Sequence, residues 1–342
     1  MYEDLKEHSI SIYGGYINSN KDLLESASGG MATALSRRMI HDGGYVAGVV
    51  YSEHMYSAEY IVTNDEKDLD RLKGSKYIDA NKNDIYNKVK KLLDAGEKVL
   101  FTGLPCIVGA LNLMLGREYD NLITCELVCH GPTHTQVHAQ YVRYLEEKYG
   151  SKVVDFSVKH KEGKWLPTYL YAKFEDGQVF KKEFADTEYG YAFTVYGKNA
   201  CYNCKFKGNN RTADIMIGDF WGVSEKDSFY NELGVSVVFV HTAKGQKYLE
   251  SIDELTLFET DFETAVRKNQ KVIVSKKKHP EKDSFEKNFK EGGLMYAIEK
   301  SSFKSVNAKR GIYNKLPGFV RPLGRKIYYT IVKLKKRLKG RQ

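Results

Sequence analysis

Between Ser28 and Tyr149 helical and strand-like patterns alternate, and that alternation restricts the fold more than any other feature of the chain. Ser28 to Gly44 opens with small residues, sets Met31, Leu35 and Met39 on one helical face, and stops at Gly43-Gly44. Tyr45 to Tyr51 then reads as a strand. Asp84 to Ala95 places Ile85, Val89, Leu92 and Leu93 at helical spacing, and Lys98 to Thr102 follows as a short buried strand. A helix from about Cys106 with Leu111 and Leu115 inward, a strand over Asn121 to Val128 and a helix over Thr133 to Tyr149 continue the series. Such an order predicts a parallel sheet of crossover units. Beyond Gly150 the pattern changes to short alternating segments, Val153 to Val158, Thr168 to Phe174 and Gln178 to Phe184, the last two divided by the hairpin dipeptide Asp176-Gly177. Apolar strands over Ala213 to Ile217 and Val235 to His241 follow. The expectation is α/β with an α+β second half: a parallel crossover sheet, then a mixed or antiparallel strand region, then a basic C-terminal helical tail. In residue terms these regions are 1–150, 151–265 and 266–342, with the lysine-rich 266–290 read as a solvated connection.

With 342 residues, 42% of them hydrophobic, the chain can bury a substantial core, so disorder is excluded. No apolar run approaches the ~20 residues of a spanning helix, and Met1 to Ile10 lacks a signal pattern, so a cytoplasmic protein is expected. Of the net charge of +9, 13 positive charges lie in 301–342 with no acid among them, so residues 1–300 carry −4. A mildly acidic body argues against a specific nucleic-acid partner. In the tail, Ile327, Ile331, Leu334 and Leu338 share a helical face while Lys333, Lys335, Lys336, Arg337 and Lys339 crowd the remainder. This basic amphipathic helix either packs on its own domain or makes peripheral contact with the inner face of a membrane or with an acidic partner.

Five cysteines are too few and odd in number for a disulfide scaffold, and in a cytoplasmic chain clustered thiols suggest metal or catalysis. Cys106 and Cys129 each follow a strand, so in a parallel sheet both lie on the carboxyl edge where ligands gather. Each also lies near a helix start, where backbone N–H groups favour a thiolate. The pair in Cys201-Tyr202-Asn203-Cys204 makes a four-thiolate site possible, and sulfur ligands select zinc or an iron–sulfur cluster, which spacing alone leaves equal. Cys125 lies within a strand and reads as a small core residue. Cys129 and His130 do not read as nucleophile and base, because neighbours on an extended chain point apart.

Six strings in order carry a resemblance: Ser28-Gly29-Gly30, Gly74-Ser75-Lys76-Tyr77, Gly103-Leu104-Pro105-Cys106, Cys129-His130-Gly131, Cys201-Tyr202-Asn203-Cys204 and Gly218-Asp219-Phe220-Trp221-Gly222. Over roughly residues 12 to 245 the chain resembles the coenzyme F-420 hydrogenase/dehydrogenase beta-subunit family. The resemblance implies an FAD-binding flavoprotein with one 4Fe-4S cluster, held by Cys106, Cys129, Cys201 and Cys204, with Cys125 spare. It implies flavin contacts at Ser28, Gly29, Gly30 and Thr33, where a helix start suits a diphosphate, and at Ser75, Lys76 and Tyr77, with Lys76 a charge for phosphate and Tyr77 a ring to pack on. Without it, Ser28 reads as an ordinary helix cap, the Gly-Ser-Lys-Tyr string as a surface turn and the Asp-Phe-Trp-Gly string as a strand end. His130 and His134 are weak candidates for delivering a proton to a reduced substrate. Leu104, Ile107 and Pro132-Thr133-His134 depart from the family pattern and bear on the substrate rather than on the ligands. Residues 1–27 contain no cysteine, where many relatives carry a ferredoxin-like domain, so a second cluster is expected on a partner.

The function expected is electron transfer between a ferredoxin-like donor, the cluster, FAD and an unknown small-molecule two-electron acceptor, a deazaflavin coenzyme or another. The alternative is a zinc-stapled binding protein attached to a membrane or nucleic acid by its tail. An accessory role in surface-polysaccharide biosynthesis is a third reading, carried by the resemblance alone.

Overall fold

The computed structural model describes residues 8–208 and 210–315. Its strands are β1 (Ser11–Ile17), β2 (Tyr45–Tyr51), β3 (Ala58–Thr63), β4 (Val99–Gly103), β5 (Leu122–Leu127), β6 (Val153–His160), β7 (Tyr169–Phe174), β8 (Val179–Glu183), β9 (Ile215–Asp219), β10 (Ser236–Val240) and β11 (Leu255–Glu259). Eight of them form one sheet in the order β11-β1-β10-β9-β5-β4-β2-β3, and β6-β7-β8 form a second, antiparallel sheet. Strands β2, β4, β5 and β9 run parallel, whereas β3 on one side and β10, β1 and β11 on the other are antiparallel. The mixed α/β architecture with a parallel centre and a separate antiparallel hairpin sheet is the one the alternation predicts.

Strands from the expected regions 1–150 and 151–265 share the large sheet. The reason is composition: Ile215 and Met216 on β9 and Val237 to Val240 on β10 are completely buried, and such continuous apolar runs must be covered on both faces. A reciprocal set of hydrogen bonds pins the seam between β5 and β9. Thr124 N and Oγ1 donate to Asp214 Oδ2 at 2.8 and 2.7 Å, while Asp214 N lies 3.1 Å from Thr124 O and 2.9 Å from its Oγ1. Two positions on, Glu126 Oε1 accepts from Arg211 Nη1 at 2.8 Å with both side chains fully buried. Burial pushes the Glu126 carboxyl up against the pull of Arg211.

Helices cover both faces. On one, Leu35 and Met39 of the helix Met31–His41 pack with Leu100, Ile123 and Val238. On the other, Val89 and Leu93 of the helix Ile85–Asp94 and Val108 and Leu111 of the helix Pro105–Leu115 pack with Phe101. A third cluster joins Met216 and Phe239 to Phe262, Ala265, Val272 and Ile273. The segment after residue 265 is therefore no solvated connection in its first part, because those apolar residues anchor it to the sheet. The compact units are 1–282 and 283–342. The second contains the helix Phe303–Lys315 and most of the helix Lys282–Glu299, which breaks at Gly293 with φ 79°. The amphipathic pattern from Ile327 to Leu338 lies outside the described residues. Among the described residues no helix is long and apolar enough to cross a membrane.

A partly buried ion network ties the helix Asn20–Glu25 to its surroundings. Asp22 meets Arg37 and Lys73, each at 2.9 Å, Arg37 meets Glu254 at 2.6 Å and Lys73 meets Glu25 at 2.7 Å. Burial alone would raise the Asp22 pKa, but the bonds from Lys73 and Arg37 outweigh it and hold the carboxyl at about 2. Because the folded value lies below the ordinary 3.8, the network stabilises the protein above pH 4 and its contribution is lost as pH falls from 4 to 2. Asp22→Asn is expected to cost about 2 kcal/mol at pH 7 and to flatten the acid limb of a urea-midpoint profile between pH 4 and 2. An unchanged limb would refute the assignment.

Candidate functional site

The parallel pairing of β4 with β5 sets Cys106, in the first turn of the helix Pro105–Leu115, and Cys129, two residues past β5, on one carboxyl edge. The loop bearing Cys201 and Cys204 reaches the same edge just ahead of β9. Three contacts fix it there. An added Cβ on Gly131, whose φ is +87°, would lie 3.2 Å from Cys201 Sγ, so the turn after Cys129 and the cysteine loop touch at a residue that must lack a side chain. An added Cβ on Gly109 would lie 2.5 Å from the Phe206 ring, so the helix carrying Cys106 receives the loop closely as well. Cys204 N donates to Ser275 Oγ at 3.1 Å, bringing in the segment after residue 265.

All four thiols interact electrostatically. Burial, then the neighbouring Cys129, Cys204 and Cys201, push the Cys106 thiol up to about 11, and burial likewise raises Cys129 and Cys201. The helix start does not make Cys106 a thiolate, because desolvation and three like neighbours outweigh the dipole. Opposing this are Gly131 N–H, which donates to Cys129 Sγ at 3.2 Å, and the cations Lys207, Lys276 and Lys198. Cys125 is fully buried within β5 and belongs to the core. Among the described residues no three or more His, Cys, Asp or Glu side chains close on a single-ion position. Four thiols drawn together are soft donors of the kind that zinc or an iron–sulfur cluster takes.

Beside the thiols a cleft of about 320 Å³ is lined by Ser28, Gly30, Thr33, Ser75, Lys76, Tyr77, Cys129 and His130, among others. Gly30, in the left-handed region at φ 78°, is the N-cap of the helix Met31–His41, and no side chain caps that end. Ser28 is not a helix cap: its Oγ donates to Val235 O at 2.8 Å. The first turn thus opens on the cleft with its amides available to an anion. Gly29 lies outside the lining and serves packing, since a Cβ there would come within 2.4 Å of Gly15 O and 2.5 Å of Ser236 N. The Lys76 ammonium is turned onto the carbonyls of Arg71, Leu72 and Lys73 at 2.8, 3.1 and 2.7 Å, where it caps the short helix Leu69–Leu72. Tyr77 stacks on Phe193 with ring centroids 4.7 Å apart.

His130 lines the cleft, and burial followed by the nearby Lys207 pushes its pKa down to about 4, so it is neutral at pH 7 and holds no proton ready to deliver as an imidazolium. His134 is stacked on Tyr196 at 4.2 Å and is outside the lining. Of the Asp-Phe-Trp-Gly string, Asp219 and Trp221 face the cleft while Phe220 is buried in the core.

Two lysines, Lys159 on β6 and Lys161 just past its end, were not singled out by sequence. Lys159 forms an ion pair with Asp219 in the cleft wall and lies 5.6 Å from the centre of the Trp221 ring. Burial would lower its pKa, but Asp219 and Tyr77 outweigh that and raise it. Buried Lys161 donates to Leu23 O and Ser28 O at 2.6 and 2.7 Å and so holds the turn that starts the helix Met31–His41. Lys-x-Lys in a polar strand carries no motif; its only signal is a cation pair at alternate positions, hence on one face.

Residues 96–265 match the family described as the C terminus of the coenzyme F420 hydrogenase/dehydrogenase beta subunit, so this stretch carries that family's C-terminal domain. Among solved structures, a chain of the F420-reducing NiFe hydrogenase complex from Methanosarcina barkeri, studied as a xenon derivative, superposes with a TM-score of 0.50. It is 17% identical, the match covers 83% of this chain and 94% of that one, and the likeness is one of fold. No curated protein matches the chain.

Two substitutions test this geometry. Lys161→Met leaves two buried carbonyls without a donor, at about 1–3 kcal/mol each, and should lower the melting temperature; an unchanged melting temperature would show that the turn is held without it. Gly131→Ala should displace Cys201 and change the rate at which its thiol is labelled by a maleimide; unchanged labelling would show that the close approach is dispensable.

Proposed function

We propose that this chain, with the C-terminal domain of the beta-subunit family, is an iron–sulfur flavoprotein oxidoreductase that passes electrons between a ferredoxin-like partner and a two-electron small-molecule acceptor, such as a deazaflavin coenzyme. The observation that carries the reading is the meeting of four thiols from three separate segments beside a cleft headed by an uncapped helix start. Cys106, Cys129, Cys201 and Cys204 would hold a 4Fe-4S cluster and the cleft would hold FAD, which together supply conversion between one-electron and two-electron transfer.

The chain's own residues bind and orient. The amides at the start of the helix Met31–His41 and the Thr33 side chain receive the diphosphate of the dinucleotide. Ser75 and Tyr77 border the same cleft, and Tyr77 is held by its stack on Phe193. The Lys159–Asp219 pair is desolvated, so it presents a fixed dipole to whatever ring enters. His130 lines the cleft beside Cys129, where its imidazole can pass on from solvent the proton that the acceptor takes up on two-electron reduction. Lysines 198, 207 and 276 surround the thiols and offset the charge of four thiolates.

Anaerobically prepared protein is expected to be brown, with about four iron and four acid-labile sulfide per chain and releasable FAD. Alanine at Cys106, Cys129, Cys201 or Cys204 should cut the iron by more than half, while Cys125→Ala should leave it unchanged. Colourless protein with stoichiometric zinc would overturn the reading.

A further inference from the structure

The lysine-rich stretch beyond residue 265 has a place in the fold that its composition did not suggest. From Thr264 to Pro280 it carries six Lys or Arg and no acid, and from Tyr189 to Ala213, across the cysteine loop, the chain carries four more and again no acid. The two stretches are joined. Lys207 Nζ donates to Cys129 O at 2.7 Å and also to Lys271 O, Gly208 N donates to Val272 O at 3.3 Å, and Cys204 N donates to Ser275 Oγ. Buried Asn269, Val272 and Ile273 anchor the second stretch, leaving Arg267, Lys268, Lys277 and Lys278 exposed, with Lys205 exposed on the first. The site has an open side here: Cys106 reaches the surface, although its thiol is partly shielded from water among Cys129, Cys201 and Cys204. Leu113, seven residues further along the same helix and so within about 20° of the same face, is 85% exposed.

We propose that this surface, which takes in Leu113 and the exposed Lys205, Lys277 and Lys278, docks an acidic one-electron carrier protein. The inference rests on the proposed function and adds where the partner sits and by what chemistry it is recognised. A surface held basic by two acid-free segments raises the local concentration of a negatively charged partner and speeds encounter. One exposed apolar residue beside the redox site gives short-lived contact of the small interface typical of electron-transfer pairs. The occupant is a protein rather than nucleic acid because the basic charge is confined to two short segments of a body that is otherwise mildly acidic and is accompanied by an exposed apolar side chain.

The test uses full-length protein, with iron, flavin and melting temperature measured on each sample, and an acidic two-cluster ferredoxin as the probe in titration calorimetry at 50 mM NaCl. The triple reversal Lys205→Glu, Lys277→Glu, Lys278→Glu should weaken binding at least tenfold, as should raising NaCl to 300 mM, and Leu113→Ser should weaken it severalfold. Reversal of the exposed Lys148 and Lys173, which belong to neither basic stretch, should leave it within twofold. An affinity unmoved by the triple reversal overturns the proposal. So does equal binding of basic cytochrome c, or tighter binding of a 20-base-pair DNA duplex that the same reversal abolishes. Full cofactor content without ferredoxin binding would refute the docking surface and leave the proposed function standing; binding that survives in protein lacking iron and flavin would refute the function and leave the surface.

Discussion

The site depends on the seam between β5 and β9. These strands lie about ninety residues apart in sequence, yet they pair in parallel at the middle of the sheet, and the Thr124–Asp214 bonds leave them no freedom of register. A slip of one residue would exchange the two faces of β9, taking Ile215 and Ile217 out of the cluster with Leu35 and Met39 and putting Met216 in their place. Cys129 follows β5 and so lies at the carboxyl edge, whereas the Cys201–Cys204 loop, which precedes β9, is brought back to that edge by its contacts with Gly131, with the helix Pro105–Leu115 and with Ser275.

A cost accompanies that arrangement. The fully buried pair of Glu126 and Arg211 lies next to the seam, with Glu126 Oε2 and Arg211 Nε lacking a hydrogen-bond partner. Burying such a pair is seldom favourable in itself, whereas removing one member strands the other charge. Its service here is directional. Arg211 also donates to Val272 O and thereby joins the cysteine loop to the segment that covers it. The charge is thus spent on holding three chain segments at the thiols rather than on raising stability.

Much of this was legible. Period and punctuation located β2 to the residue and β4, β5, β9 and β10 to within two or three, because buried parallel strands are short apolar runs bounded by turns. The carboxyl-edge location of Cys106 and Cys129 followed from strand order alone. The strands β1, β3 and β11 were not read, since Gly14-Gly15 and the polar positions of the edge strands blur a period of two. The lysine run after residue 265 passed as solvated chain because Val272 and Ile273 are too few to show periodicity. Lys159 and Lys161 escaped for a different reason: their roles are set by partners from 60 to 138 residues away, Asp219, Ser28 and Leu23, and no local pattern encodes such a distance. The thiol acidity expected from a helix start was reversed by burial and crowding, which depend on the assembled neighbourhood.

The central position of β9 also has a bearing on how the protein is made. During synthesis the ribosome delivers Cys106 and Cys129 long before Cys201 and Cys204, and the latter pair gains its place only when β9 slots between β5 and β10. A nascent chain short of residue 240 therefore offers two isolated thiols and an incomplete edge. Insertion of any prosthetic group held by all four must wait for release of nearly the whole first unit, so maturation reports that translation and sheet closure have both finished.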